Sequence, residues 1–147
     1  MKILFLGDIV GRAAREAVID ELPALRRDMD IDFVVVNGEN AAGGFGITET
    51  IANSLFDAGA DVITLGNHAW DQRETLTHID REQRLLRPAN FPANTPGKGA
   101  GLFTTEKGEQ VLIITVQASC LWKRWKTRLL LLKESLLLVH LGKPPML

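Results

Sequence analysis

The 147-residue sequence predicts an α/β fold: a largely parallel sheet with helices over residues 1–116, followed by an irregular tail over 117–147. Three observations predict it. Short apolar runs end abruptly in polar residues three times, at Gly7-Asp8, at Asn37-Gly38-Glu39-Asn40 and at Gly66-Asn67-His68. Asp8, Glu39 and Asn67 lie 31 and then 28 positions apart, about one strand–helix–strand unit of roughly 30 residues. The segments between the runs carry helical rather than alternating periodicity.

The first strand is Ile3 to Leu6. Residues 12–27 follow, with Ala14, Val18, Leu22 and Leu25 spaced as the stripe of an amphipathic helix, and Pro23 as a site for a kink. The second strand contains Val34-Val35-Val36. Asn37-Gly38 after a β-branched run is a strong hairpin signal, but residues 41–46, AAGGFG, are too small and glycine-rich to be a returning strand. Next comes a helix with Thr48 as N-cap, Glu49 where the N-terminal end of the helix dipole favours negative charge, Ile51, Leu55 and Phe56 as its apolar face and Gly59 as its stop. Val62 to Leu65 is the third strand. Apolar strands alternating with helices form parallel sheets covered on both faces, with right-handed crossovers.

Residues 86–101 read as a proline- and glycine-rich loop. A hairpin follows, with Glu106-Lys107-Gly108-Glu109 as its turn and Val111–Val116 as a buried strand.

Net charge near zero gives no sign of membrane affinity or stable nucleic-acid binding. One cysteine, Cys120, excludes a disulfide framework and points to a reducing, cytoplasmic compartment. The first apolar run, four residues long, is too short for a secretory signal. Residues 1–116 carry 11 basic and 17 acidic side chains, whereas 117–147 carry 6 basic side chains and the single acid Glu134. The tail holds ten leucines in runs, which form neither a helical stripe nor a strand alternation, and its apolar stretch is far short of a membrane span. A basic amphipathic helix for a membrane surface or a partner is one reading of it. A homo-oligomer is left open.

In open parallel sheets ligands bind beyond the carboxyl ends of the strands, so the three polar clusters face one crevice. Taken singly, Asp8 suits an N-cap and His68 a hydrogen-bonded loop histidine. Together, an aspartate, a glutamate, two amides and a histidine offer hard oxygen donors and an imidazole, a set that suits Mn, Mg or Fe and a two-metal hydrolytic site. A Rossmann-like nucleotide binder is the rival from the fold, but the first turn, GDIVG, lacks G-x-G-x-x-G. A non-catalytic fragment that only binds or assembles is another. Phe45 and Trp70 each suit stacking on a base or packing in the protein. His78 and His140 belong to no motif.

The stretches GDIVGR, NGENAAGG and GNHAWD together resemble the calcineurin-like metallophosphoesterases, and within them the bacterial YmdB-like cyclic-nucleotide phosphodiesterase branch. The resemblance covers about residues 1–116 and implies the N-terminal part of that family's α/β sandwich. The superfamily's first motif is usually D-x-H and its second G-D-x-x-D; here Val10 replaces the histidine and Glu39-Asn40 stand at the bridging aspartate, as in the narrower branch. By this resemblance Asp8 binds a first metal, Glu39 bridges two, Asn40 holds the first and Asn67 the second. His68 acts on the scissile phosphate, protonating the leaving ribose oxygen. The implied cofactors are two divalent ions, Fe or Mn before Mg, and the implied substrate is a small phosphodiester such as a 2′,3′-cyclic nucleotide. Family members are about twice this length, and their second half supplies a histidine and a G-H-x-H-like motif that this sequence lacks. The change at residue 117 to a basic, leucine-rich tail reads as a shifted frame or truncated end, which implies an incomplete site.

Overall fold

The computed structural model describes residues 1–117 and 134–142, the latter as backbone. Strand β1 (Ile3–Leu6) leads to helix α1 (Gly11–Asp28), then β2 (Phe33–Asn37), α2 (Glu49–Asp57), β3 (Val62–Thr64), α3 (Thr75–Arg81) and β4 (Leu85–Leu86). These four strands form one parallel sheet in the order β1-β2-β3-β4. A second, antiparallel sheet follows, β5 (Ala100–Thr104), β6 (Gln110–Gln117) and β7 (Glu134–Gly142).

A monotonic strand order joined by right-handed crossovers places every crossover on the same face of the sheet. The packing agrees. Leu4, Leu6, Val34, Val36, Ile63 and Leu85 meet Leu22, Leu25, Leu55 and Phe56 of the helices in one core. The opposite face, with Ile3, Phe33, Val35, Val62 and Leu86, is covered by Phe103, Val111 and Ile113 of the second sheet. The parallel sheet is therefore covered on both faces, but by helices on one and by strands on the other.

The local signals act as expected in α1 and α2. Helix α1 runs through Pro23, with Leu22 buried and Ala14, Val18 and Leu25 against the core. The Thr48 hydroxyl accepts from the Ile51 N–H at 3.2 Å, and Ala58 and Gly59 end α2, with Gly59 at φ 110°. At the N-terminal edge of the sheet, Asp61 accepts from the Val34 N–H at 2.7 Å and pairs with Arg26 at 3.0 Å. Burial pushes the Asp61 carboxyl up, against these two partners.

Three expectations need correction. Val111–Val116 is buried on one face only: Val111, Ile113 and Thr115 are buried while the residues between them are partly exposed, because only one side of this sheet meets the core. Residues 134–142, whose leucine runs gave no strand alternation, pair along β6 from Gln117↔Glu134 to Gln110↔Gly142. The hydrogen-bonding edge of β6 selects the extended backbone there, a cue absent from local periodicity. Helix α3 and strand β4 have no counterpart in the sequence reading; they are seven and two residues long, too short for periodicity to register. The remaining expectations for the tail, including those on Cys120 and the Leu129–Leu132 run, fall outside the described residues. Among the described residues no helix is long and apolar enough to cross a membrane.

Candidate active site

The three polar clusters emerge at one edge of the parallel sheet. Leu6 pairs with Val36 and Asn37 with Thr64, so Asp8, Glu39 and Asn67 each follow within three residues of the aligned strand ends. Backbone bonds then tie the loops together. Ile9 N–H donates to Asn37 O at 3.1 Å, Gly11 N–H to Asn40 O at 3.0 Å, and Gly38 N–H to Thr64 O at 3.0 Å.

Glu39 is set by its own strand. The buried Asn37 side chain accepts from the Glu39 N–H at 3.1 Å, an Asx turn that bends the chain off β2 and carries the Glu39 side chain to a buried position, 4% exposed. Gly38 makes this turn possible by packing rather than by dihedral freedom: a Cβ there would lie 3.0 Å from Ile63 Cγ2 and 3.1 Å from Ile47 Cδ1. None of Gly7, Gly38 and Gly66 has positive φ; the left-handed glycines sit further on, at Gly43, Gly44 and Gly46.

Asp8 does not cap α1. The N-cap is Val10, which makes no side-chain cap bond. Instead the Asn40 Nδ2 group donates to both Asp8 carboxylate oxygens, at 2.9 and 2.8 Å. Asn40 Oδ1 and Glu39 Oε2 are left buried with no hydrogen-bond partner. Orphaned buried acceptors are costly, about 1–3 kcal/mol each, and mark a place where a cation or an ordered donor belongs. A cation held jointly by Asp8 and Asn40 would turn the amide oxygen, rather than its NH2, to the carboxylate. The donors present, two carboxylates and two amides, therefore fit a hard divalent ion. Among the described residues no group of three His, Cys, Asp or Glu side chains is placed to hold a metal.

Asn67 is exposed beyond β3, and His68 follows it, half-buried. His68 Nδ1 lies 2.6 Å from Asp71 Oδ2. The Phe45 ring meets the imidazole edge-on, with centroids 5.3 Å apart and planes at 81°. Trp70 packs instead on Phe91 and the core, centroids 6.2 Å apart. Asp8 and Asn40 are thus in direct contact and Glu39 adjoins Asn40 in the chain, while Asn67 and His68 follow the adjacent strand β3. The sequence reading missed Asp71 and Asn37. The i,i+3 spacing of His68 and Asp71 was a signal for the first; the position two residues before Glu39 was one for the second.

His78 lies elsewhere, on α3, its Nδ1 3.6 Å from Glu49 Oε1 and its Nε2 buried with no partner. A cavity of about 140 Å³ between α3 and the loop of residues 97–98 holds none of the five site residues.

Known proteins resemble this chain over most of its length. The model of the family described as YmdB-like protein matches residues 4–132. The chain is 46% identical over 117 residues to a 2′,3′-cyclic-nucleotide 2′-phosphodiesterase of Bacillus subtilis, covering 80% of this chain and 44% of that protein. It also resembles the crystal structure of a hypothetical protein from Thermus thermophilus, at TM-score 0.70 and 39% identity over 76% of this chain and 43% of the other. A novel phosphatase from Mycoplasma pneumoniae superposes at TM-score 0.67 and 33% identity, covering 75% and 40%. The chain spans less than half the length of each of these relatives. With a family match across most of its length, and with GD, NGEN and GNHAWD at the ends of adjacent parallel strands, the chain belongs to the YmdB-like protein family.

Proposed function

We propose that the strand-end cluster is the phosphoester site of a phosphodiesterase acting on 2′,3′-cyclic nucleotides. The observation that carries the reading is the direct contact of the Asn40 amide with both Asp8 oxygens, next in the chain to Glu39, whose Oε2 is buried without a partner. Asp8 and Asn40 would hold one divalent ion, Asn67 a second, and Glu39 both. When bound, such ions, Fe or Mn before Mg, supply a nucleophilic water at neutral pH and neutralise the phosphoryl oxygens. Asn40 and Asn67 contribute donors without negative charge, which keeps the site open to an anionic substrate. His68 gives a proton to the leaving ribose 2′-oxygen as the phosphorus–oxygen bond breaks, so water adds at phosphorus and a nucleoside 3′-phosphate leaves. The name of the Bacillus relative, a 2′,3′-cyclic-nucleotide 2′-phosphodiesterase, supports the choice of a 2′,3′-cyclic substrate.

Two six-coordinate ions call for roughly twelve donor positions, and these four side chains fill a minority. The rest fall to water or to donors outside the described residues. A chain without them would bind ions weakly and act only as a binding or assembly module.

Manganese titration followed by electron paramagnetic resonance, run beside hydrolysis of adenosine 2′,3′-cyclic phosphate, tests the reading. The expected result is Mn²⁺ binding that Glu39→Gln abolishes, and conversion to the 3′-phosphate. Mn²⁺ binding indifferent to Glu39→Gln overturns it. Glu39-dependent binding without turnover selects the binding module.

A further inference from the structure

Phe45 is 59% exposed, although a phenyl ring left in water forgoes a burial worth about 1.5–3 kcal/mol. Its exposure does not come from a loose loop. Arg15 Nη1 donates to Ala41 O at 2.9 Å, Ala42 N–H to Gly46 O at 2.9 Å, Gly44 N–H to Asn40 O at 2.9 Å, and Gln72 Nε2 to Phe45 O at 2.8 Å. The loop is thus tied at four points to α1, to itself, to the Asn40 turn and to the segment after His68. The ring it presents is edge-on to His68, an arrangement that engages at most one phenyl face. Trp70, the other aromatic of the same region, is turned into the protein against Phe91.

We propose that Phe45 is a stacking platform for the base of a nucleotide substrate. This rests on the phosphoester reading above. The reason is the covalent structure of the substrate. In a 2′,3′-cyclic nucleotide the base is attached at C1′, the neighbour of the carbon that bears the leaving 2′-oxygen. A histidine that protonates that oxygen therefore has the base one sugar bond away, and the aromatic side chain beside the His68 imidazole is Phe45. A phenyl ring offers a π-face and no hydrogen-bonding group, so it recognises that a base is present without reading which one. The discrimination it supplies follows stacked area: purines bind more tightly than pyrimidines, and a base-free sugar phosphate loses the contact entirely.

The test uses this chain with Mg²⁺ and two ligands, adenosine 3′-phosphate and its base-free counterpart, methyl riboside 3-phosphate, titrated by NMR against the unaltered protein, Phe45→Ala, Phe45→Trp and Glu39→Gln. The unaltered protein should bind the adenosine ligand about tenfold more tightly, within the range for one stacked base, with the two adenine ring protons shifted upfield by the phenyl ring current. Phe45→Ala should bind both ligands alike, and Phe45→Trp should keep the preference. A preference that survives in Phe45→Ala, or adenine protons that do not shift, overturns the proposal. If both ligands bind the unaltered protein equally and Glu39→Gln weakens both, the phosphoester reading stands and the Phe45 assignment alone falls. Failure to bind either ligand removes the phosphoester reading and this proposal together.

Discussion

His68 Nδ1 lies 2.6 Å from Asp71 Oδ2, one turn ahead of it in the same loop. A carboxylate can only accept, so Nδ1 keeps its proton against Asp71 and the proton given to the leaving oxygen is one carried on Nε2. Asp71 is thus a positioning residue. Asp71→Asn offers an amide that can equally donate to Nδ1 and so releases the tautomer. Turnover of a cyclic nucleotide should fall about ten- to a hundredfold, the scale for partners that orient site groups from behind. The ¹⁵N shifts of His68 should move toward the other tautomer; unchanged shifts with lost turnover would assign Asp71 a different task.

His68→Ala should leave the Mn²⁺ stoichiometry unchanged, because none of the four oxygen donors is altered. Turnover should drop by roughly 10²–10⁴, the usual contribution of a general acid. A nitrophenyl diester should suffer less, since its leaving oxygen needs no proton. Comparing the loss for the cyclic nucleotide with that for the nitrophenyl diester checks the acid role, and equal losses would refute it.

Gly46 has φ 74°, and a Cβ there would sit 2.9 Å from Gln72 Cγ and 3.2 Å from both Gln72 N and His68 O. Gly46→Ala combines a disfavoured dihedral with backbone overlap, so it should destabilise the fold by about 1–3 kcal/mol. It should also push the His68 loop off the AAGGFG loop. Urea denaturation reads the first effect, and loss of the Phe45–His68 contact in NMR reads the second.

Asp32 is held below the ordinary carboxylate range, first by the hydrogen bond from Lys107 Nζ and next by that from the Lys2 backbone N–H. Those contacts are 2.5 and 2.6 Å. A depressed folded value means that the stabilisation is present above the unfolded carboxylate pKa and is lost as the pH falls through the folded value. Asp32→Asn should therefore lower the urea midpoint at neutral pH and leave it nearly unchanged in strong acid. Asp61 runs the other way: burial raises it, so its contribution is greatest below the ordinary carboxylate range and declines as the pH rises through the folded value. Asp61→Asn should accordingly raise the midpoint at neutral pH while leaving it nearly unchanged in strong acid, the opposite sign to Asp32→Asn, and urea midpoints across the pH range would expose either error.

The elements that position the site were legible because their signals are local. The Ala14, Val18, Leu22, Leu25 stripe, the Thr48 cap and the Gly59 stop each act within a few residues, and each is found where the pattern placed it. The GD, NGEN and GNHAWD clusters carried the family resemblance in the same way, as short contiguous strings. Other features depend on partners distant in the chain, and periodicity does not contain them. Helices fall on one face because β1 to β4 lie in simple order, with the second sheet closing the other face. Residues 134–142 are a strand because β6 offers them an edge. Phe45 and Trp70 were indistinguishable as aromatics near the same motifs. One faces solvent beside His68 and the other packs on Phe91, since the first rides on a glycine loop tied to Asn40 and Gln72 and the second lies over the core. The bond from Asn40 to Asp8 spans 32 positions of chain and arises only when the ends of β1 and β2 are brought into register.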